Sequence, residues 1–218
     1  MRDNKTEKSI LQAAEEEFLL KGFAGARTTE IAQRAGVNHA MLHYYFKTKE
    51  QLFEQVLMEK LTLFQQSMLS VLEFSDKSIL ENIADAMSHH FDFLLQNPML
   101  PRFLINEVIV RPEYVEKVKA KMLPFAGNAL DLVQRALDES AQKGEICQVD
   151  ALTLLLDMVS LNLFVFIAHP IFVQMQPVFG DLAAFYAKRK KENIEVIVKR
   201  LKPDTPCKEP STCNEQYY

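Results

Sequence analysis

Apolar residues along this chain recur at spacings of three and four, which is the period of an α-helix. The spacing is clear in Ile10, Leu11, Ala14 and Phe18, and it returns near the end of the chain. No segment alternates apolar and polar residues as a half-buried strand would. We therefore predict an all-α protein. The predicted helices cover residues 5–21, 28–35, 39–46, 49–73, 78–95, 98–109, 112–143, 150–170 and 181–201.

Residues that favour helix ends support these boundaries. Three polar pairs have the spacing of a capping box, in which two side chains satisfy free backbone groups: Asn4 with Glu7, Thr48 with Gln51, and Ser78 with Glu81. Pro98 and Pro112 are expected at the first position of a helix, where a missing N–H costs nothing. Four glycines between periodic segments are expected to end helices: Gly22, Gly36, Gly144 and Gly180.

Length and composition indicate a small domain joined to a larger one. The chain has 218 residues, of which 48% are apolar, so a sizeable core can form. Its three cysteines are too few for a disulfide framework and fit a reducing compartment. The polar start shows no secretory signal. Residues 151–168 are apolar but contain Asp157, so we expect a buried helix there and not a membrane span. We therefore expect a cytoplasmic protein without membrane contact. Residues 203–218 are predicted to form a flexible tail.

Residues 28–46 have the pattern of a helix-turn-helix. Two short helices that cross closely need a small residue at the crossing, and Ala32 supplies it. Gly36 follows four residues later and can adopt the left-handed conformation that ends the first helix. Leu42 is expected to point back into a small core, which Phe18 and Phe46 close. The second helix of such a motif enters the major groove of DNA.

The distribution of charge in this region supports the same interpretation. The net charge of the whole chain is −4, which is unusual for a protein that contacts phosphates. Residues 31–49, however, contain no acid, while Arg34, Lys47 and Lys49 are basic. Residues 1–50 hold eight Lys or Arg against seven Asp or Glu, so we expect only a moderate salt dependence of DNA binding.

The run Thr28-Thr29-x-Ile31-Ala32-x-x-Ala35-Gly36-Val37, continued by Leu42-x-x-Tyr45-Phe46-x-x-Lys49-Glu50-x-Leu52, resembles the TetR (tetracycline-repressor-like) family of transcriptional regulators. The resemblance covers about residues 6–60 and implies a DNA-binding domain over residues 1–50. It implies that Thr28 and Thr29, at the start of the second helix, bind a DNA phosphate. It also implies that Tyr45 and Lys49 occupy positions that bind phosphates. The recognition helix would present Asn38, His39, Ala40, Met41, His43 and Tyr44. His43 stands where the family commonly has tyrosine, so the operator sequence does not follow from this helix.

The resemblance also implies that residues 51–202 form a domain that binds an inducer and dimerises. Aromatic and polar residues on the helices that would surround a cavity suit a largely apolar small molecule. The candidate ligand residues are His90, Phe91, Phe103, Asn106, Glu107, Phe125, Asn128, Phe164 and His169. Apolar residues at helical spacing can equally form plain core. Glu107 in particular can pair with Arg102 or Arg111 instead of a ligand.

The helix near residues 150–168 carries more apolar surface than one layer of neighbours would cover. This surface comprises Leu152, Leu155, Leu156, Val159, Leu163, Phe164 and Ile167. A second copy of the chain could cover it, and two-fold pairing would set two recognition helices about one turn of DNA apart, which suits a palindromic operator. The alternative is an intramolecular core in a monomer. We expect a homodimer.

The sequence gives little reason to expect an enzyme. It contains no glycine-rich phosphate loop, nucleophile elbow or paired acids, and its histidines and cysteines lack the spacing of metal ligands. We therefore expect no cofactor and no metal, and we predict a repressor released by an unknown small-molecule inducer, with the helix from Lys49 as the lever between the two parts. The alternative is a helical dimer without an inducer, or one whose DNA-binding head no longer functions.

Overall fold

The computed structural model describes residues 2–71 and 76–203, apart from the side chains of residues 2–4, 64, 66–71, 122, 125 and 179. All regular structure in these residues is helical. The elements are α1 (Arg2–Gly25), α2 (Thr28–Arg34), α3 (His39–Tyr45), α4 (Lys49–Val71), α5 (Ile79–Gln96), α6 (Leu100–Phe103), a π-helical segment (Leu104–Ile109), α7 (Pro112–Gln142), α8 (Ala151–Ile167), α9 (His169–Gln174), α10 (Gln176–Phe179) and α11 (Leu182–Leu201). The all-α prediction is confirmed, and the predicted tail falls almost wholly outside the described residues.

Two regions differ from the predicted helices. The single helix expected over residues 98–109 is a short α6 that continues into a π-helical segment, which the three-and-four spacing cannot distinguish from an α-helix. Residues 169–179, expected to be mostly loop, form α9 and α10. Each of these short helices has proline in its first turn, where the restricted φ of the ring favours the start of a helix.

The predicted helix ends are partly confirmed. Ser78 and Glu81 form the expected capping box, and Pro112 begins α7. Thr48 accepts a hydrogen bond from the backbone N–H of Gln51 at 3.1 Å, but the Gln51 side chain accepts from Lys47 instead of returning to Thr48. Two further expectations were wrong. Asn4 lies inside α1, which already begins at Arg2, and Pro98 lies in the turn before α6.

Helices α1–α3, hereafter the head, share their apolar core with the rest of the protein. Phe53 of α4 is fully buried at the centre of this shared core. Its ring centroid lies 5.2 Å from that of Phe18 in α1, 5.5 Å from that of Phe103 in α6 and 5.2 Å from that of Tyr114 in α7. The head therefore packs on the larger domain through one continuous aromatic cluster.

A buried polar network fixes three helices of the larger domain. The Asn162 amide of α8 donates to the backbone oxygen of Met87 at 3.0 Å and lies 3.3 Å from Nδ1 of His90, both in α5. Asn193 of α11 donates to Asn162 Oδ1 at 2.9 Å and to the Leu161 oxygen at 3.0 Å. Because polar groups in a dry core need partners, these bonds hold α5, α8 and α11 in one register.

The His90 imidazole predicts how stability depends on pH. Burial lowers the pKa of His90 from 6.5 to about 4. The unfolded chain therefore takes up a proton at a higher pH than the folded protein does, and the free energy of unfolding falls as pH drops from 6.5 towards 4. We expect a loss of about 2–3 kcal/mol between pH 7.5 and 4.5, measured by urea denaturation.

Two variants isolate this effect. His90→Phe should remove most of the pH dependence, whereas His89→Ala, which alters the exposed neighbouring histidine, should leave it unchanged. His169 should add a further pH dependence of stability in the same direction, because burial also lowers its pKa. An equal pH dependence in the wild-type protein and in His90→Phe would contradict the assignment.

Candidate nucleic-acid interface

Local geometry sets the angle between α2 and α3. Ala32 is buried where the two helices cross, and Gly36 ends α2 with a φ of 69°. The N–H of Val37 then bonds back to the Ala32 oxygen at 3.0 Å, which tightens the turn. Leu42 is buried in the shared core, as expected. Thr28 Oγ1 lies 3.1 Å from Nε2 of His39, so the starts of α2 and α3 are also joined directly.

The other side of α3 is free of protein contacts that would bury it. Its exposed residues are His39, Ala40, Met41, His43 and Tyr44, preceded by exposed Asn38. Asn38 has a structural task as well, because its Oδ1 accepts the Met41 N–H at 2.7 Å and caps the helix. An uncovered helix of this length can enter the major groove of DNA, which is about 12 Å wide.

Cations flank the exposed face of α3 at its C-terminal end. Lys47 Nζ lies 5.4 Å from the centre of the Tyr44 ring. Lys49, the first residue of α4, holds its Nζ 4.6 Å from the Phe23 ring centre, and Tyr45 is half-buried nearby. Of the predicted phosphate residues, Tyr45 ends α3 and Lys49 begins α4. Exposed Thr29 and half-buried Thr28 lie at the start of α2. Their contacts with DNA remain a prediction.

Arg34 does not belong to the basic surface that the sequence suggested. Its guanidinium lies 3.0 Å from Glu16 and 3.5 Å from the fully buried Glu17, and Lys21 Nζ lies 2.6 Å from Glu17. The two pairs of Arg34 hold α2 against α1, so acids of α1 neutralise this cation. The same Lys21 ammonium lowers the pKa of Glu30 in α2 by hydrogen bonding to its carboxylate.

Arg27 is a further candidate for DNA contact that was not predicted from the sequence. This exposed residue precedes Thr28 directly and takes the N-cap position of α2 without a side-chain capping bond. It adds a cation at the end of the surface opposite Lys47. Its position next to the pair of threonines could have identified it.

The structure does not gather the predicted ligand residues around one cavity. His90, Phe91 and Phe103 are buried in the core, whereas Asn106 and Asn128 are exposed. Glu107 pairs with Arg111 at 3.1 Å, the alternative that the sequence left open. His169 Nδ1 lies 2.5 Å from the Tyr186 hydroxyl. The Phe125 side chain lies outside the described residues.

Among the predicted ligand residues whose side chains are described, only Phe164 lines an open groove between α8, α9, α10 and α11. The groove has a volume of about 790 Å³. Part of its lining is apolar and includes Phe164, Phe172, Val178 and Phe185. The charged part consists of Asp181, Lys188, Arg189 and Glu192, and Glu192 lies 3.8 Å from Lys188 and 3.7 Å from Arg189. Such a surface can hold an apolar group, and a negatively charged end on that group would compete with Glu192 for Lys188 and Arg189.

The described residues contain no cluster of three or more histidine, cysteine or acidic side chains placed to hold a metal ion. None of the helices described here combines the length and apolar character needed to cross a membrane.

Two family models match the chain. Residues 10–56 match the model described as bacterial regulatory proteins of the tetR family, and residues 80–197 match a tetracyclin repressor-like C-terminal domain. Among curated proteins, the transcriptional repressor NicS of Pseudomonas putida is 25% identical over 142 residues, which are 65% of this chain and 66% of NicS. The alignment thus spans just under two thirds of that relative.

Solved structures show the same fold. FadR of Bacillus subtilis, solved with stearoyl-CoA, has a TM-score of 0.63 and 24% identity, covering 88% of this chain and 98% of FadR. AibR, solved with isovaleryl coenzyme A and operator DNA, has a TM-score of 0.62 and 19% identity, covering 91% and 98%. The second family model alone covers more than half of the chain. The chain belongs to the TetR family of bacterial regulatory proteins.

Proposed function

We propose that this protein is a cytoplasmic transcriptional repressor that binds a palindromic operator as a homodimer and is released by a small, largely apolar ligand. The observation that carries the proposal is the exposed face of α3, which is held rigidly from behind by Leu42 and the shared core. Side chains on a rigid, uncovered helix can read base edges, and the adjacent Lys47 and Lys49 can hold the backbone.

The exposed apolar stripe of α8 supports the dimer. Leu152, Leu156 and Phe164 are exposed, and their spacings of four and eight residues place them on one side of the helix. An exposed apolar stripe of this kind usually marks a contact with a partner. Two copies related by a two-fold axis would bury it and bring two α3 helices to neighbouring turns of DNA.

The groove beside α8 supports a ligand with an apolar body and an anionic end. Its aromatic side chains would bury an acyl chain, and Lys188 and Arg189 would exchange their partner Glu192 for a phosphate or carboxylate. Relatives of the same fold have been solved with acyl-coenzyme A molecules, which have this chemistry. The groove is open in a single copy. A titration in which no acyl ligand binds would therefore favour the alternative, a dimer without an inducer.

Titration of labelled DNA tests operator binding. The DNA upstream of the gene for this protein is the first duplex to use, with fluorescence anisotropy at low salt. Lys49→Ala should weaken binding to specific and random duplexes alike, by about tenfold for one lost phosphate contact in each of two heads. His39→Ala should in addition reduce the preference for the specific duplex.

Lys119→Ala, which changes an exposed residue of α7 outside the head, is the control and should leave both affinities unchanged. An unchanged preference in His39→Ala would remove His39 from base reading. No binding of the wild-type protein to any duplex at low salt would overturn the proposed function.

A further inference from the structure

The carboxylate of Glu107 occupies the place where residue 22 would have its side chain. Gly22, near the end of α1, has φ 68° and ψ 176°, a conformation open essentially to glycine alone. A Cβ added there would lie 2.3 Å from Glu107 Oε1 and 3.4 Å from its carboxyl carbon. Glu107 belongs to the larger domain and Gly22 to the head, so this contact joins the two parts.

Arg111 holds that carboxylate in place. Its guanidinium donates to Glu107 Oε2 at 3.1 Å, one helical turn away. It also lies 4.8 Å from the ring centre of Phe23 and 5.8 Å from that of Tyr114. Stacking on two rings restricts the guanidinium, so Glu107 is fixed by a group that is itself fixed. Without Arg111, the Glu107 side chain would lose more conformational entropy when it took up the same position.

The backbone that carries Glu107 has an unusual form. Residues Leu104–Ile109 are π-helical, between α6 and the start of α7. Each hydrogen bond of a π-turn spans one residue more than that of an α-turn, so the side chains of this segment point in other directions than they would in a continued α6. The orientation of Glu107 towards Gly22 therefore depends on this local winding.

We propose that Glu107 is a positioning residue for DNA binding, whose carboxylate, seated on Gly22 and held by Arg111, sets the angle of the head on the larger domain. The proposal rests on the proposed function, because the angle of two heads sets the distance between two α3 helices in a dimer.

Amide hydrogen exchange of the intact protein tests the positioning role without DNA. Glu107→Ala should speed exchange of amides near Gly22 and at the start of α4 by about tenfold, since it removes a contact that opposes local opening. Glu107→Gln, which keeps the shape and loses the charge, should lie between. Glu139→Ala is the matched control: Glu139 pairs with Lys143 at 2.7 Å in the same i,i+4 geometry, but outside the junction with the head. It should leave exchange in the head unchanged.

A double-substitution cycle separates the contact from backbone strain. Gly22→Ala should speed the same amides in the wild-type background, through strain and through displacement of Glu107. In the Glu107→Ala background the added effect should be roughly threefold or more smaller, because only strain is left. If Gly22→Ala fails to fold, the Glu107 variants still decide. Equal exchange rates in the head of wild type and Glu107→Ala would overturn the proposal.

Binding to two duplexes tests the consequence for DNA. Glu107→Ala should bind a duplex with both half-sites about tenfold more weakly than wild type, because the second head is no longer held at a fitting distance. Its affinity for a single half-site should stay within about twofold of wild type, because one head needs no fixed spacing. Equal weakening on both duplexes would overturn the positioning role. If wild type binds neither duplex while exchange responds as expected, the proposed function fails and the contact between head and larger domain stands.

Discussion

Phe53→Ala is expected to lower the free energy of unfolding by about 3–5 kcal/mol, the range for deleting a fully buried aromatic ring. The ring lies between Phe18 and Phe23 of the head and Phe103 and Tyr114 of the larger domain, with centroid distances of 5.1–5.5 Å. Its removal leaves a cavity that rigid neighbours on four sides cannot close. The loss includes the aromatic contacts as well as the buried surface.

Denaturation with urea, followed by circular dichroism, measures this loss. Leu20→Ala is the control, since Leu20 is an exposed residue of α1, and it should change stability by less than about 0.5 kcal/mol. We expect the wild-type transition to be single, because head and larger domain share one core. A loss below about 1 kcal/mol in Phe53→Ala would mean that the cluster does not support both parts.

Leu156→Asp is expected to convert the dimer to a monomer and to abolish tight operator binding. Leu156 lies in the middle of the exposed stripe of α8 and is 59% exposed in a single chain. In a two-fold dimer the substitution buries two carboxylates near each other in an apolar interface, which costs several kcal/mol. A monomer loses the second head, so affinity for a two-half-site duplex should fall by about 10²–10⁴.

The matched control is Leu123→Asp on α7, where the leucine is 62% exposed and so loses as little local packing. Sedimentation velocity gives the mass of each variant, and anisotropy gives the affinity. Leu123→Asp should stay dimeric and bind as wild type does. A dimeric Leu156→Asp with unchanged operator affinity would exclude the α8 stripe as the dimer contact.

The helix-turn-helix could be predicted from sequence because its geometry is local. Ala32, Gly36 and Leu42 each have a role that follows from spacing alone, and the structure places all three as expected. The role of Arg34 could not be predicted in this way, because it depends on contacts between residues distant in the sequence. Its partners Glu16 and Glu17 are 18 and 17 residues away, and only the packing of α1 on α2 brings them together.

The candidate ligand site was harder to predict. The π-helical turn at Leu104–Ile109 has no distinct spacing of apolar residues, so a regular helix was expected there. Its actual winding places Glu107 on Gly22 instead of facing a cavity with His90 or Phe164. A carboxylate among apolar residues does indicate a specific partner, but the sequence could not show that the partner is a glycine in another part of the protein.

The shared aromatic core also limits how this regulator can be recombined with its relatives. A chimera that joined residues 1–50 to a foreign C-terminal domain would separate Phe18 and Phe23 from Phe103 and Tyr114. The natural unit of exchange is therefore discontinuous in the chain: the head, the first turns of α4, and the stretch from α6 to the start of α7. Engineering a hybrid sensor on this scaffold requires transplanting these three pieces together.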